Sequence, residues 1–381
     1  MTAMANQLRQ QGIPVIGLSA GEPDFPTPQP IVSAAMEALS GGRGFTYTDN
    51  TGLLALRREI SIKLKNHNYL EYSPNEIICS NGGKQSVAQA LMVLCRPGDE
   101  VLIPAPYWVS YPEMTVLAGG TPVPMPTSVM TEYRITPNQL EAAITQHTRV
   151  LILCSPSNPT GSVYSPEELK AVADVLSKYP NVWVISDELY EHVIFDAKHI
   201  SFASLKGMKE RTITINGFSK AYAMTGWRLG YAAGPLDVVK AMDKVQSQTT
   251  SNPSHLSQLA GIAALQMDFE PIAQMVRAFR ERRDTVLALL NDIDGIKCPK
   301  PEGAFYLFPD VSSFFGKTAP DGNLIQTAEE LALYLLREAH VATVAGEGFG
   351  DPNGLRISYA TSLDKLVEAC HRMKVALDRL Q

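Results

Sequence analysis

The 381-residue chain lacks most of the features that would place it outside ordinary enzyme chemistry. It has no polybasic run, and its formal net charge is -6, so the basic stripe expected of a nucleic-acid binder is missing. It has only five cysteines, Cys79, Cys95, Cys154, Cys298 and Cys370, widely spaced and without a C-x-x-C pair. An odd, scattered set of this kind reads as reduced thiols in a cytoplasmic protein rather than a disulfide framework. No apolar run approaches the ~18 residues that span a bilayer. The opening "MTAMANQLRQQG" has no basic stretch followed by an apolar one, so it does not read as a secretory signal. The seven histidines form no H-E-x-x-H and no paired ligand spacing, so no metal is expected. "AGEGFGD" (345–351) misses the G-x-G-x-x-G register, and there is no G-x-S-x-G.

What is present is a 45% hydrophobic chain, long enough for two domains. Short apolar runs, "EIICS" (76–80), "EVLIPAP" (100–106), "VLILCSP" (150–156), "VWVISDE" (182–188) and "TITING" (212–217), read as buried strands. Helical patterns lie between them at 84–95, 111–119 and 165–179, the last opened by Ser165-Pro166-Glu167-Glu168, a cap, a first-turn proline and two acids. Alternation of this kind predicts an α/β domain with a mainly parallel sheet flanked by helices. After about residue 255 the pattern changes. A long helix (257–291), a strand pair in "GIKCPKPEGAFYLFPDV", a helix (327–338), a strand in "GLRISYA" (354–360) and a final helix (362–380) predict a smaller α+β domain. The expected division is 1–28 as a segment joining the small domain, 29–275 as the large domain and 276–381 as the small one.

The chemistry concentrates in a few stretches. In "NGFSKAYAMTGWRLGYAAGP" (216–235), Lys220 has small or apolar neighbours, which desolvate an ammonium and lower its pKa. Such a lysine is a candidate amine nucleophile able to form a Schiff base, or else a buried ion-pair partner. Arg228, eight residues on, has the planar fork that suits a phosphate. In "VWVISDELYEHV", Asp187 closes a buried strand, where open α/β sheets bind ligands; it can hold a protonated pyridine nitrogen or cap a helix. Tyr190 follows three residues later. Asn158 sits in the turn "SNPTG" after another strand and can offer an amide donor. "CSNGGKQ" puts Gly83 and Lys84 at a helix N-terminus, a weak phosphate signal. Trp108 in "PAPYWVSYPEM" can stack on a planar ring or serve the core. Arg356, inside the apolar strand "LRISYA", needs a carboxylate, from a ligand or from the protein.

Taken together, "LSAGEPDFPTP", "YTDNTGLLALR", "SNGGKQ", "PYWVSYPEM", "SPSNPTG", "SDELYEHV", "GFSKAYAMTGWRLG", "PEGAFYLFPD" and "LRISYATS" closely resemble the class I/II, fold type I pyridoxal-phosphate aminotransferases. The resemblance is strongest to the bacterial 1b subgroup that acts on aspartate, some members of which also act on prephenate. It implies that Lys220 bonds the cofactor and moves the proton, with Asp187 at the pyridine nitrogen. It implies that Tyr190 and Asn158 bond the ring's phenolic oxygen, that Trp108 stacks on the ring, and that Arg228, Gly83 and Lys84 hold the phosphate. Arg356 would take the substrate α-carboxylate, assisted by Asn158, Trp108 and the Gly21 backbone. In the 1b subgroup the lysine of "GGKQ" reads the distal carboxylate, so the resemblance gives Lys84 that role; "QSQTTSNPSHLSQ" has no arginine of the kind another bacterial subgroup uses for it. Tyr47 would reach the partner subunit's site in a homodimer. Family members usually begin roughly twenty residues earlier, so a closing segment is expected to be absent or to lie before this start. The implied reaction is amino transfer between L-aspartate and 2-oxoglutarate. Alternatives are transamination of aromatic or neutral amino acids, a carbon–sulfur lyase on the same fold, or an effector-sensing domain, which would carry an added DNA-binding segment.

Overall fold

A computed structural model of the chain describes residues 2–381. Among the described residues, twelve strands run β1 (Ile16–Gly17), β2 (Ile77–Ser80), β3 (Glu100–Ala105), β4 (Thr121–Pro126), β5 (Thr148–Cys154), β6 (Trp183–Asp187), β7 (Thr212–Gly217), β8 (Gly230–Ala233), β9 (Tyr306–Leu307), β10 (Val341–Ala342), β11 (Val344–Ala345) and β12 (Leu355–Ser358). Seven form one sheet in the order β2-β8-β7-β6-β5-β3-β4. The pairs from β7 to β4 are parallel, and β8 runs antiparallel to both of its neighbours. This is the mixed, mostly parallel sheet flanked by helices that the strand–helix alternation predicts.

Both faces of the sheet are covered, which is why its strands read as continuous apolar runs. Side chains alternate between the two cores with the period of a strand. Val101, Ile103, Val150 and Ile152 pack with Val87, Leu91 and Met242 on one face. Leu102, Leu151 and Leu153 pack with Leu140, Leu169 and Leu176 on the other. A separate core gathers Leu18, Phe279, Phe305, Leu331, Ile357 and Leu366 around the three-stranded antiparallel sheet β11-β12-β9. The short N-terminal strand joins that part of the molecule, β1 pairing in parallel with β10.

Several features depart from the sequence reading. The helix expected over 257–291 is two helices, His255–Gln266 and Glu270–Asn291, with Pro271 in the first turn of the second. The strand pair expected in 295–311 does not form as such. Pro299 and Pro301 offer no N–H, so only an isolated Lys297–Asp310 bridge closes there, and β9 pairs with β12 instead. The helix expected over 327–338 is α-helical only at Ala328–Tyr334 and widens into a π-turn at Leu335–Ala339. β4 carries prolines at 122, 124 and 126 and survives because it is the edge strand, with no further neighbour to donate to.

Candidate active site

The carboxyl ends of β2, β3, β5, β6 and β7 open on one cavity of about 430 Å³. Gly21, Gly83, Lys84, Trp108, Asn158, Asp187, Tyr190, Lys220, Arg228 and Arg356 all line it. Ten positions scattered over 336 residues of sequence therefore meet at the edge where open α/β sheets bind ligands. Tyr47 is not among the lining residues; its side chain is 89% exposed.

Asp187 ends β6 and is buried. Tyr111 donates its phenol O–H to Asp187 Oδ2 at 2.6 Å, and the Leu189 N–H reaches Oδ1 at 3.3 Å. Burial raises the Asp187 carboxyl above the usual range, and these two donors pull it back down. Among the described residues no cation forms an ion pair with it. A buried carboxylate in that condition fits a cationic ligand group.

Lys220 follows β7. Burial pulls its ammonium down to about 8, with Arg228 and Arg356 adding repulsion and Glu22 and Asp187 opposing the fall. Its Nζ donates to the Gly21 carbonyl at 2.5 Å and lies 5.8 Å from the centroid of the Tyr190 ring. A lysine shifted this far keeps mainly its ammonium form at neutral pH but has a far larger neutral fraction than an exposed lysine, and the amine predominates above about 8. Tyr190 shares a 2.9 Å hydrogen bond with the Tyr306 hydroxyl.

The helix Gly83–Leu94 presents its N-terminus to the cavity. Gly82 caps it at φ +87°, and a Cβ there would stand 2.4 Å from Arg228 Nη2. Only glycine allows the guanidinium to lie against this turn. Arg228 is anchored by the Thr225 carbonyl at 2.9 Å and the Asn81 carbonyl at 3.3 Å. Free helical N–H groups beside a guanidinium fit a phosphate.

On the opposite wall, β12 brings in Arg356. Its guanidinium lies between the rings of Tyr306 and Phe349, 4.8 and 5.0 Å from their centroids. Nη1 donates to Asn158 Oδ1 at 3.1 Å and Nη2 to the Ser19 carbonyl at 3.0 Å, while Nε is buried without a partner. No carboxylate of the protein pairs with it among the described residues, which fits an anionic ligand. Lys84 Nζ stands 4.9 Å from the Trp108 ring.

Sequence reasoning missed Tyr111, Ser219, Tyr306 and Phe349, which also line the cavity. Tyr111 lies three residues beyond Trp108, in the first turn of the helix Ser110–Leu117, and that spacing was the available signal. Tyr306 sits in an apolar stretch and Phe349 in the glycine-rich loop 345–351, with nothing to set either apart.

With the geometry described, the chain can be set beside known proteins. A family model for aminotransferase class I and II matches residues 13–373. The bifunctional aspartate aminotransferase and glutamate/aspartate-prephenate aminotransferase of Petunia hybrida is 52% identical over 381 residues, covering 99% of this chain and 79% of that protein. The aspartate/prephenate aminotransferase of Cereibacter sphaeroides is 48% identical over 376 residues, covering 98% of this chain and 94% of its own. The crystal structure of the aspartate aminotransferase from Rhizobium meliloti superposes with a TM-score of 0.97 at 44% identity, covering 100% of this chain and 95% of that one.

Proposed function

The chain belongs to the aminotransferase class I and II family, and from that premise we propose that it binds pyridoxal phosphate and moves an amino group between L-aspartate and 2-oxoglutarate. Prephenate is a further acceptor on this reading, as the names of the Petunia and Cereibacter relatives indicate for those proteins. One observation carries the proposal. A depressed lysine amine, a buried unpaired carboxylate and a buried guanidinium without a protein carboxylate face one cavity.

The cavity fits the cofactor group by group. Arg228 and the N–H groups of Gly83 and Lys84 would hold its phosphate, Asp187 its ring nitrogen, Asn158 and Tyr190 its phenolic oxygen, and Trp108 its ring face. When bound, pyridoxal phosphate supplies a cationic ring that withdraws electrons from the substrate Cα. Arg356 binds and orients the α-carboxylate, its fork held flat between Tyr306 and Phe349. Lys220, with its amine free, would move the proton between the substrate Cα and the cofactor carbon C4′ within each half-reaction, as base toward one atom and acid toward the other. Lys84 reads the distal carboxylate. An apolar wall of Val109, Val344 and Phe349 lies in the same cavity and favours aromatic donors as a second reading.

The division into 1–28, 29–275 and 276–381 is part of the same proposal. It is supported by the helix Glu270–Asn291, whose Ile272 packs into one core and whose Met275 and Phe279 pack into the other. A homodimer with Tyr47 directed at the partner's site is supported by the exposed apolar residues Met36, Leu39, Phe45 and Tyr47. The chemistry has a direct test. Protein mixed with pyridoxal phosphate, reduced with borohydride and digested should carry the pyridoxyl group on Lys220. A label on another lysine, or none, sinks the reading.

A further inference from the structure

Tyr111 lies in the first turn of the helix Ser110–Leu117, fully buried and beneath the cavity floor. Its O–H points at Asp187 Oδ2 over 2.6 Å, a short distance of the kind seen when the acceptor is ionised. Its ring and its backbone are both held in place. The Trp108 indole meets it edge-on at 5.4 Å and 88°, the Trp108 carbonyl accepts its backbone N–H at 2.9 Å, and Thr115 Oγ1 donates to its carbonyl at 2.9 Å. Buried, packed against the indole and carried on a bonded backbone, the phenol offers Asp187 a donor at a defined place.

We infer that Tyr111 is a positioning residue for Asp187, a neutral donor that fixes the carboxylate's orientation in its ionised form without supplying a competing positive charge. The inference rests on the proposed cofactor reading for its purpose but not for its geometry. A lysine or arginine at this place would neutralise Asp187 and remove its attraction for a cationic ring nitrogen. A phenylalanine would leave a buried carboxylate held by one long N–H contact. The phenol does neither. Burial, and the carboxylate beside it, push the Tyr111 hydroxyl well above its ordinary value, so it stays a donor at every working pH. The other groups acting on Asp187 do not replace it. Cys154 borders the pair as a neutral thiol pushed up to about 12 by burial, Glu188 adds repulsion, and Lys220 is not within ion-pair distance. The link also ties the residue read as stacking on the ring to the one read as meeting its nitrogen, because Tyr111 packs on the Trp108 indole and donates its backbone N–H to the Trp108 carbonyl.

The test has a cofactor-free arm and a cofactor arm. In the apoprotein, the Asp187 carboxyl followed by carbon NMR should titrate higher in Tyr111→Phe than in the parent. Loss of a donor to the charged form favours the protonated one. The expected rise is roughly one to two pH units for a hydrogen bond to a charged group. In the second arm, pyridoxamine phosphate, which binds without a covalent link, should lose about tenfold or more in affinity in Tyr111→Phe. The same substitution placed in Asp187→Asn should cost no more than about threefold, because the charged acceptor is gone. An unchanged Asp187 titration, or equal losses in the two backgrounds, overturns the inference and makes Tyr111 a packing residue. If the parent protein fails to bind pyridoxamine phosphate at all, the cofactor reading falls while the titration still decides the role of Tyr111.

Discussion

At the scale of single residues, two cations share the work of choosing a substrate on the proposed reading. Arg356 meets the α-carboxylate that every amino acid carries. Lys84, across the cavity and beside Trp108, meets only a second carboxylate. Replacing Lys84 with alanine should therefore separate donors. A lost charge-assisted contact is worth roughly 1.5–3 kcal/mol, or about 10–150-fold in kcat/KM. Aspartate and glutamate should fall by that factor, while alanine and phenylalanine should change little. Measurement of kcat/KM for the four donors at saturating cofactor gives the answer. Equal losses across them would mean that Lys84 serves the phosphate, and the argument for an acidic substrate would lose its main support. Arg356→Ala belongs to the same comparison and should damage all four alike.

At the scale of elements, the loop that follows β6 must hold Asp187 and Tyr190 still. It does so through a buried polar network. Glu191 pairs with Lys63 and accepts from Asn68 Nδ2 at 2.7 Å, both on the helix Leu54–Asn68. Glu188 accepts from Ser186 and Ser201 hydroxyls at 2.9 and 2.8 Å, from the Phe202 N–H at 3.2 Å, and faces His199 at 3.1 Å. Burial alone would raise the Glu191 carboxyl, but Lys63 and the imidazoles of His192 and His199 hold it well below the usual range. Its contribution to stability is therefore complete above the usual carboxylate pKa and is lost as pH falls through the depressed value. The group Glu188, Glu191 and His199 is close enough to hold a metal ion, yet the Lys63 ammonium already supplies the positive charge there. Lys63→Met should leave Glu191 uncompensated and cost about 3–5 kcal/mol in urea unfolding at pH 7. Adding Glu191→Gln should recover part of that loss. A Lys63→Met protein as stable as the parent would show that the network contributes nothing net.

At the scale of the whole molecule, the exposed run of Met36, Leu39, Phe45, Tyr47 and Leu54 is unusual for a surface without a partner. On the homodimer reading, light scattering after gel filtration should give twice the chain mass. Tyr47→Phe should keep that mass and weaken cofactor binding by about tenfold, because its phenol would reach the partner's phosphate. A particle of one chain's mass, or an unchanged cofactor Kd in Tyr47→Phe, counts against the arrangement. The second core, with Arg356 on β12, supplies the wall of the cavity opposite the main sheet. The cavity is thus walled by residues carried on more than one hydrophobic core.

Much of this was legible in the sequence because it is local. Buried parallel strands are short apolar runs, so all five strands read in the large sheet lie within two residues of their observed ends. Lys220, Asp187, Asn158 and Gly83 stand just past or at strand ends, and each could be found from its immediate neighbours. The two helices within 257–291 read as one because a proline in a first turn extends a helical pattern rather than interrupting it. β8, antiparallel between β2 and β7, was hidden inside the lysine motif, since pairing direction leaves no mark on so short a segment. Only the tertiary structure decided who touches whom. Nothing near Tyr111 in the chain indicates that its hydroxyl meets Asp187, 76 residues away, nor that Arg356 lies between Tyr306 and Phe349. The type of each side chain, and therefore the chemistry it can perform, is written locally. Desolvation, orientation and the choice of partner arise only when distant segments exclude water from the same few cubic ångströms.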